Sequence, residues 1–139
     1  MAEATWKLEF PYRRSVGPVI GAFLTGLREG KVVGIKTAAG RVICPPLEYD
    51  PETGEGLGAE ALVDLADTGV VTDWSWVPAP HDKQPAQPFA WALVKIDGAD
   101  TALLHVVNGE VERGTKVRAV WRDERRGHVT DIEHFEVIA

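Results

Sequence analysis

After Gly30 the chain is cut into short pieces by glycine, proline and Asp-Gly or Asn-Gly steps. That punctuation leaves no room for a long helix, and the pieces between the breaks read as strands. Lys31–Ile35 and Arg41–Cys44 flank the turn Thr37–Gly40, and Pro45-Pro46 ends the second of them. Asp50–Gly54 is a tight turn, with Asp and Gly where turns favour them. Gly54, Gly56 and Gly58 form a loose connector. Strands are then expected at Ala61–Ala66, Val70–Val77, Phe89–Ile96, Thr101–Val107, Lys116–Arg122 and near Ile132–Ile138. They are separated by Asp67–Gly69, the proline-rich loop Pro78–Pro88, Asp97–Asp100, Asn108-Gly109 with Gly114, and Asp123–Gly127. Strict alternation in Val70–Val77 sets Val70, Thr72, Trp74 and Trp76 on one face. Val71, Asp73, Ser75 and Val77 fall on the other.

About five strands after residue 60, broken by turns, suit a small closed barrel such as an OB-fold. The only strong helix signal lies earlier. Val16, Ile20, Phe23, Leu24 and Leu27 follow helical spacing, with Ser15 as the expected N-cap, Pro18 in the first turn and Gly30 as the stop. Gly17, Gly21 and Gly26 weaken this helix in isolation, each by roughly 1 kcal/mol relative to Ala. It therefore needs packing against another surface, and the small residues admit another subunit.

With 139 residues, 45% of them hydrophobic, the chain can bury the core of one domain. A single cysteine, Cys44, excludes an intrachain disulfide and a cysteine-built zinc site. No apolar run is long enough to span a membrane as a helix, and no basic stretch followed by an apolar segment opens the chain. No membrane association and a cytoplasmic location are expected. The net charge of −6 is uneven: residues 1–41 carry seven basic against three acidic side chains, residues 42–112 two against thirteen. So acidic a middle argues against general affinity for nucleic-acid backbones. The basic N-terminal segment suits an anionic partner.

Several segments together resemble a family of small acyl-CoA-associated proteins, the domain of unknown function number 35. These are Phe10–Pro18, Leu27–Gly34, Gly40–Val42 running into Pro45-Pro46, Gly69–Val71 leading into the Trp74/Trp76 strand, and Pro88–His105. The resemblance implies a mainly β fold in three parts. Residues 1–30 would be an N-terminal arm and helix, residues 31–58 zinc-ribbon-like hairpins, and residues 59–139 a C-terminal OB-fold barrel. In the family the ribbon carries two CxxC-Gly steps. Here those slots read Lys36–Gly40 and Asp50–Gly54, so the four ligand positions hold Lys36, Ala39, Asp50 and Thr53. Ala39 offers no donor and Lys36 is a cation, so degenerate hairpins without metal are expected. Lys36 opposite Asp50 is a candidate replacement cross-link, worth about 0–1 kcal/mol if exposed.

The resemblance also implies a function. The Phe-Pro-Tyr-Arg-Arg-Ser opening is similar to that of accessory subunits of thiolase-like, sterol-carrier-type aldolases. Those enzymes cleave β-hydroxyacyl-CoA side chains of steroids. The chain would be a subunit of a hetero-oligomer, binding no cofactor itself, with a CoA thioester as the substrate of its partner.

The residues offer no catalytic constellation of their own. Cys44 ends an apolar strand beside two prolines and reads as a small buried hydrophobe. His81, His105, His128 and His134 lack metal-ligand spacing. His105 sits in an apolar strand and is expected to be a hydrogen-bonded core or rim residue, whereas His81 lies in the proline-rich loop, within reach of a neighbouring active site. Gly54–Gly58 lacks the strand-before, helix-after context of a phosphate loop. Candidate partner-interface residues are Tyr12, Arg13, Arg14, Phe23, Arg28, Trp74, Trp76, His81, Phe89 and Trp91. The alternative readings are an OB-fold binder of single-stranded nucleic acid, through the exposed aromatics, and a free-standing acyl-CoA-binding protein.

Overall fold

A computed structural model describes residues 3–138. Met1, Ala2 and Ala139, the outermost residues of the expected first and third units, lie outside the described residues. One helix, α1 (Pro18–Arg28), precedes eight strands: β1 (Val32–Lys36), β2 (Val42–Ile43), β3 (Leu62–Leu65), β4 (Thr68–Val77), β5 (Phe89–Ile96), β6 (Ala102–Val107), β7 (Lys116–Trp121) and β8 (Ile132–Val137). The last five close into a barrel in the order β4-β5-β6-β8-β7, and the first three form a small sheet in the order β2-β1-β3. The expected mainly β architecture with an OB-like barrel is present.

The strand after the connector joins a different sheet from the one expected. β3 pairs antiparallel with β1, Val32 opposite Leu65 and Ile35 opposite Leu62, so the barrel proper begins at Thr68. The chain passes almost without interruption from β3 into β4, and periodicity alone cannot say which sheet a strand joins.

Barrel closure depends on Gly69. It pairs with Ile96 on one side and Val117 on the other. A Cβ there would lie 2.6 Å from the carbonyl oxygen of Lys95. β5 shows clean alternation: Ala90, Ala92, Val94 and Ile96 are buried, while Trp91, Leu93 and Lys95 are exposed. Phe135, Val107, Val117, Ile132 and Leu103 fill the same core.

The strict alternation expected in β4 fails at one point. Val71 pairs with Val94 and Asp73 with Leu93, which leaves Thr72 as a β-bulge. An extra residue reverses which side chains face in. Trp74 and Trp76 therefore share the inner side with Val71, opposite the small Ala92 and Ala90. Trp76 packs against the core and Trp74 stands at the barrel mouth, 42% exposed.

α1 starts later than Ser15 suggests. Its N-cap is Gly17 at φ +83°, Pro18 occupies the first turn, and the Ser15 hydroxyl accepts a hydrogen bond from the Gly17 N–H. A Cβ on Gly17 would collide with the Glu48 carboxylate. The buried face is Val19, Phe23, Gly26 and Leu27, whereas Val16 and Ile20 are exposed. Gly26 lets β1 approach: a Cβ there would sit 3.0 Å from Val33 Cγ2. That glycine thus serves packing within the chain.

The hairpin region is held by hydrogen bonds and one ion pair. Thr37–Gly40 turns as expected, with the Arg41 N–H donating to Thr37 Oγ1. The second hairpin reduces to a single bridge between Tyr49 and Gly56. The proposed Lys36–Asp50 cross-link does not form. Asp50 is buried and accepts from the Glu52 N–H at 2.9 Å, while Arg41 pairs with Glu52 at 3.0 Å across the two turns. The β5–β6 turn covers the β2 edge: Asp100 accepts from the Val42 N–H at 2.8 Å, and Thr101 Oγ1 both accepts from and donates to the backbone of Cys44. Helix, small sheet and barrel share one core cluster, in which Phe23, Leu27, Val32 and Cys44 meet the barrel residues.

Candidate functional site: an interaction surface

Charged or nucleophilic groups inside the fold are held inert. Cys44 is buried, and loss of hydration pushes its thiol up to about 12. That thiol is no nucleophile at neutral pH. His105 faces inward on β6, edge-on to Phe135 at 5.5 Å. Its Nδ1 accepts from the Val106 N–H at 2.8 Å and its Nε2 lies 3.1 Å from the Val129 carbonyl oxygen. Those contacts fit the neutral ring with the proton on Nε2. Burial lowers its pKa below the ordinary 6.5, and the charge of His134 acts the same way. The sequence reading of His105 as a bonded core residue agrees with this placement.

Asp131 is buried as the last residue of the Val129–Asp131 turn. Burial opposes its ionisation, but the N–H groups of Arg126, Gly127 and His128 donate to its carboxylate at 3.0, 2.7 and 3.0 Å. Together these bonds hold its pKa below the ordinary 3.8. The loop so fixed carries Arg125, whose Nε donates to the Arg28 carbonyl at 3.0 Å and caps the last turn of α1. Its role is structural.

The ribbon positions do not fit zinc. Lys36 is an exposed cation and Ala39 brings no donor. Asp50 is engaged by its own turn, and Thr53 Oγ1 accepts from the Glu55 N–H. No group of three or more His, Cys, Asp or Glu arranged to hold a metal occurs among the described residues.

The ten candidate interface residues fall in several places. Phe23 and Phe89 are core side chains, 7% and 1% exposed, and present no surface to a partner. The helix turns Phe23 onto the barrel, and Phe89 lies edge-on to Trp91 at 5.4 Å. Trp74 and Trp76 line a cleft of about 560 Å³ at the barrel mouth with Val111, Val137, Glu110 and Glu112. Trp91 stands on the opposite, outer side of β5. His81 is exposed in the proline-rich loop, its Nδ1 accepting from the Lys83 N–H. Tyr12, Arg13, Arg14 and Arg28 are exposed. The aromatics therefore make two separate surfaces, because the bulge turns Trp74 and Trp76 inward.

Two surfaces were read from the sequence only in part, the first through Trp91 and the second through Tyr12, Arg13 and Arg14. On the outer face of the barrel Leu93 pairs with Leu104, and both are exposed beside Trp91. The signal was available: β5 and β6 place apolar residues on the side that alternation reserves for polar ones. The other is the arm before α1. Residues 3–17 form no helix or strand, and Trp6, Leu8, Phe10 and Tyr12 are 90%, 82%, 76% and 77% exposed.

The sequence of the barrel matches a family model described as "ChsH2, C-terminal OB-fold domain" over residues 62–122. Residues 62–122 are thus similar in sequence to that domain. The matched segment begins at β3 and ends just past β7. Among solved structures, a protein of unknown function from the DUF35 family of Sulfolobus solfataricus superposes with a TM-score of 0.65 at 22% identity, covering 87% of this chain and 84% of that one. A chain of the Ltp2-ChsH2(DUF35) aldolase superposes with a TM-score of 0.62 at 20% identity, covering 90% of this chain and 98% of that one. No curated protein matches the sequence. The fold expected from the sequence resemblance is thus the fold observed. No helix among the described residues is long and apolar enough to cross a membrane.

Proposed function

We propose that this chain is the accessory subunit of an aldolase, binding a thiolase-like subunit that carries the chemistry. The observation that supports this most is the ChsH2-type barrel, set in a whole-chain fold similar to a chain of the Ltp2-ChsH2(DUF35) aldolase. The inert state of Cys44 and His105 and the exposed apolar surfaces point the same way: apolar groups suited to association lie outside, and the thiol and the bonded His105 ring lie inside. The substrate would be a β-hydroxyacyl-CoA, with a steroid side chain as its acyl part. In the partner's active site the β-hydroxyl loses its proton and becomes a carbonyl. The Cα–Cβ bond breaks, and the resulting thioester enolate takes up a proton to release a shortened acyl-CoA. This chain would stabilise that subunit and cover its substrate channel.

Stacking of single-stranded nucleic acid is the weaker reading. Trp74 is surrounded by Asp73, Glu110 and Glu112 with one cation, Arg113, which pairs with Asp73 at 3.4 Å, so the balance is acidic and disfavours phosphates. The test is co-expression with the thiolase-like aldolase subunit of the same organism. A single heteromeric peak on size exclusion, and aldolase activity that depends on this chain, are expected. Separate elution together with full activity of the partner alone refutes the reading.

A further inference from the structure

The arm before α1 carries four large apolar side chains at two-residue spacing, Trp6, Leu8, Phe10 and Tyr12, each more than three-quarters exposed. Two-residue spacing in an extended chain puts them on one face. Lys7 and Glu9 belong to the other face, where their side chains pair at 2.9 Å. At roughly 150–250 Å² each, four such side chains offer on the order of 600 Å², close to the ~800 Å² that each partner contributes to a stable interface. Leaving that much apolar surface in water serves nothing in the isolated chain.

Pro11 identifies how the arm pairs. In a strand, the N–H and C=O of alternate residues point to the same edge. Trp6, Leu8, Phe10 and Tyr12 share one edge, on which every residue keeps its donor. Pro11, without an N–H, lies on the other edge with Thr5, Lys7 and Glu9. The segment is thus competent to pair on one side only, as an edge strand.

Among the described residues no edge is long enough to receive it. Eight extended residues, 5–12, span about 26 Å. β5 is paired on both sides, and the free edge of β4 beyond its pairing with β7 is interrupted by the bulge at Thr72, which leaves only Asp73–Val77 regular. The other strands have six residues or fewer, and the edge of β2 is covered by Asp100 and Thr101. The receiving edge therefore belongs to a different protein. Arg13 and Arg14 follow the apolar run, and neither is paired with a carboxylate among the described residues. They call for acidic side chains at the end of that edge.

We propose that residues 5–12 add as an edge strand to an exposed sheet edge of the aldolase subunit. Main-chain bonds would run through Trp6, Leu8, Phe10 and Tyr12, whose side chains fill an apolar groove, with Arg13 and Arg14 at an acidic rim. Gly17, held at positive φ, turns the chain between arm and helix. This rests on the proposed function, and its failure is distinguishable from failure of that reading.

The experiment uses the full chain and the co-expressed thiolase-like subunit. The quadruple variant W6S/L8S/F10S/Y12S is expected to weaken the complex at least 100-fold, while K7S/E9S weakens it less than 3-fold. In the complex, NMR amide exchange is expected to protect Leu8, Phe10 and Tyr12 more than Lys7 and Glu9. Undiminished binding of the quadruple variant overturns the proposal and leaves the accessory-subunit reading standing, and so does equal exchange at all arm amides. An intact chain that binds no such subunit overturns both. Self-association of the chain that is lost in the quadruple variant overturns the aldolase as the arm's partner in favour of a second copy.

Discussion

The arm and strand β5 carry the same message in sequence and meet opposite fates. Each places apolar residues at every second position: Trp6, Leu8, Phe10 and Tyr12 in one, Ala90, Ala92, Val94 and Ile96 in the other. The β5 set is buried, and the arm set stands in water. Alternation states that a segment has an apolar face, and nothing in it supplies the neighbours that cover that face. β5 has a strand on each side and a core beneath it. The arm has none of these within the chain. A strand pattern that the fold leaves uncovered therefore points outward, to another molecule.

The strongest way to break that contrast is to truncate matched aromatics on the two sides. Phe135→Ala, in the barrel core, is expected to cost about 3–5 kcal/mol and to lower the melting temperature by roughly 10–17 °C. Calorimetry checks it; a loss below about 1 kcal/mol would mean that the barrel does not depend on its packed interior as described.

A smaller effect is expected at Asp131. Asp131→Asn sets an NH2 donor in place of one carboxylate oxygen, so at least one of the three backbone N–H bonds is lost and the others lose their charge assistance, at a cost of about 2 kcal/mol by urea denaturation. Because the loop it organises carries the Arg125 cap, amide exchange in the last turn of α1 should rise with it.

The barrel should respond to pH through His105. His105 has a lowered pKa in the folded state, so below the ordinary 6.5 the unfolded chain binds more protons. Stability is therefore full above about 6.5 and declines as pH falls from there toward the folded pKa, by no more than about 1.4 kcal/mol per pH unit. Chemical denaturation at pH 7.5 and 5.5, with the wild type and His105→Gln, measures it; an identical slope in the variant removes His105 as the cause. Asp131 adds a second window with the same sign, below its ordinary 3.8.

The smallest effect is expected in the arm. Phe10→Ala should change the stability of the isolated chain by less than about 0.5 kcal/mol, since the side chain is 76% exposed. A loss comparable to that of Phe135→Ala would show that the arm packs on its own barrel, and would end the contrast.

Much of the fold was legible in the order of breaks and apolar runs. The turns at Thr37–Gly40, Asp50–Gly54 and Asp97–Asp100 are local events, set by residues that tolerate or favour turn geometry. The barrel strands were found within a residue or two for the same reason. The departures came where distant segments choose partners. Ser15 and Val16 fit a helical pattern, but Gly17 is locked at positive φ beside Glu48, which delays the helix and exposes Val16. Lys36 and Asp50 faced each other on paper, whereas turn geometry engages Asp50 locally and Arg41 reaches Glu52 instead. Of the candidate interface residues, Phe23 and Phe89 had chemistry suited to a contact but positions in the core. The alternation of the arm was visible and went unread, since its meaning depends on finding no neighbour.

Residue chemistry along the chain was enough to determine a mainly β protein with one early helix and a single unreactive cysteine. Where each strand pairs was decided in three dimensions. One bulged residue at Thr72 swaps the faces of Trp74 and Trp76, and β3 sides with the small sheet because β1 offers it an edge. Pairing and burial are long-range choices, made by what else competes for the same edge and the same core, and a local pattern carries no record of its competitors.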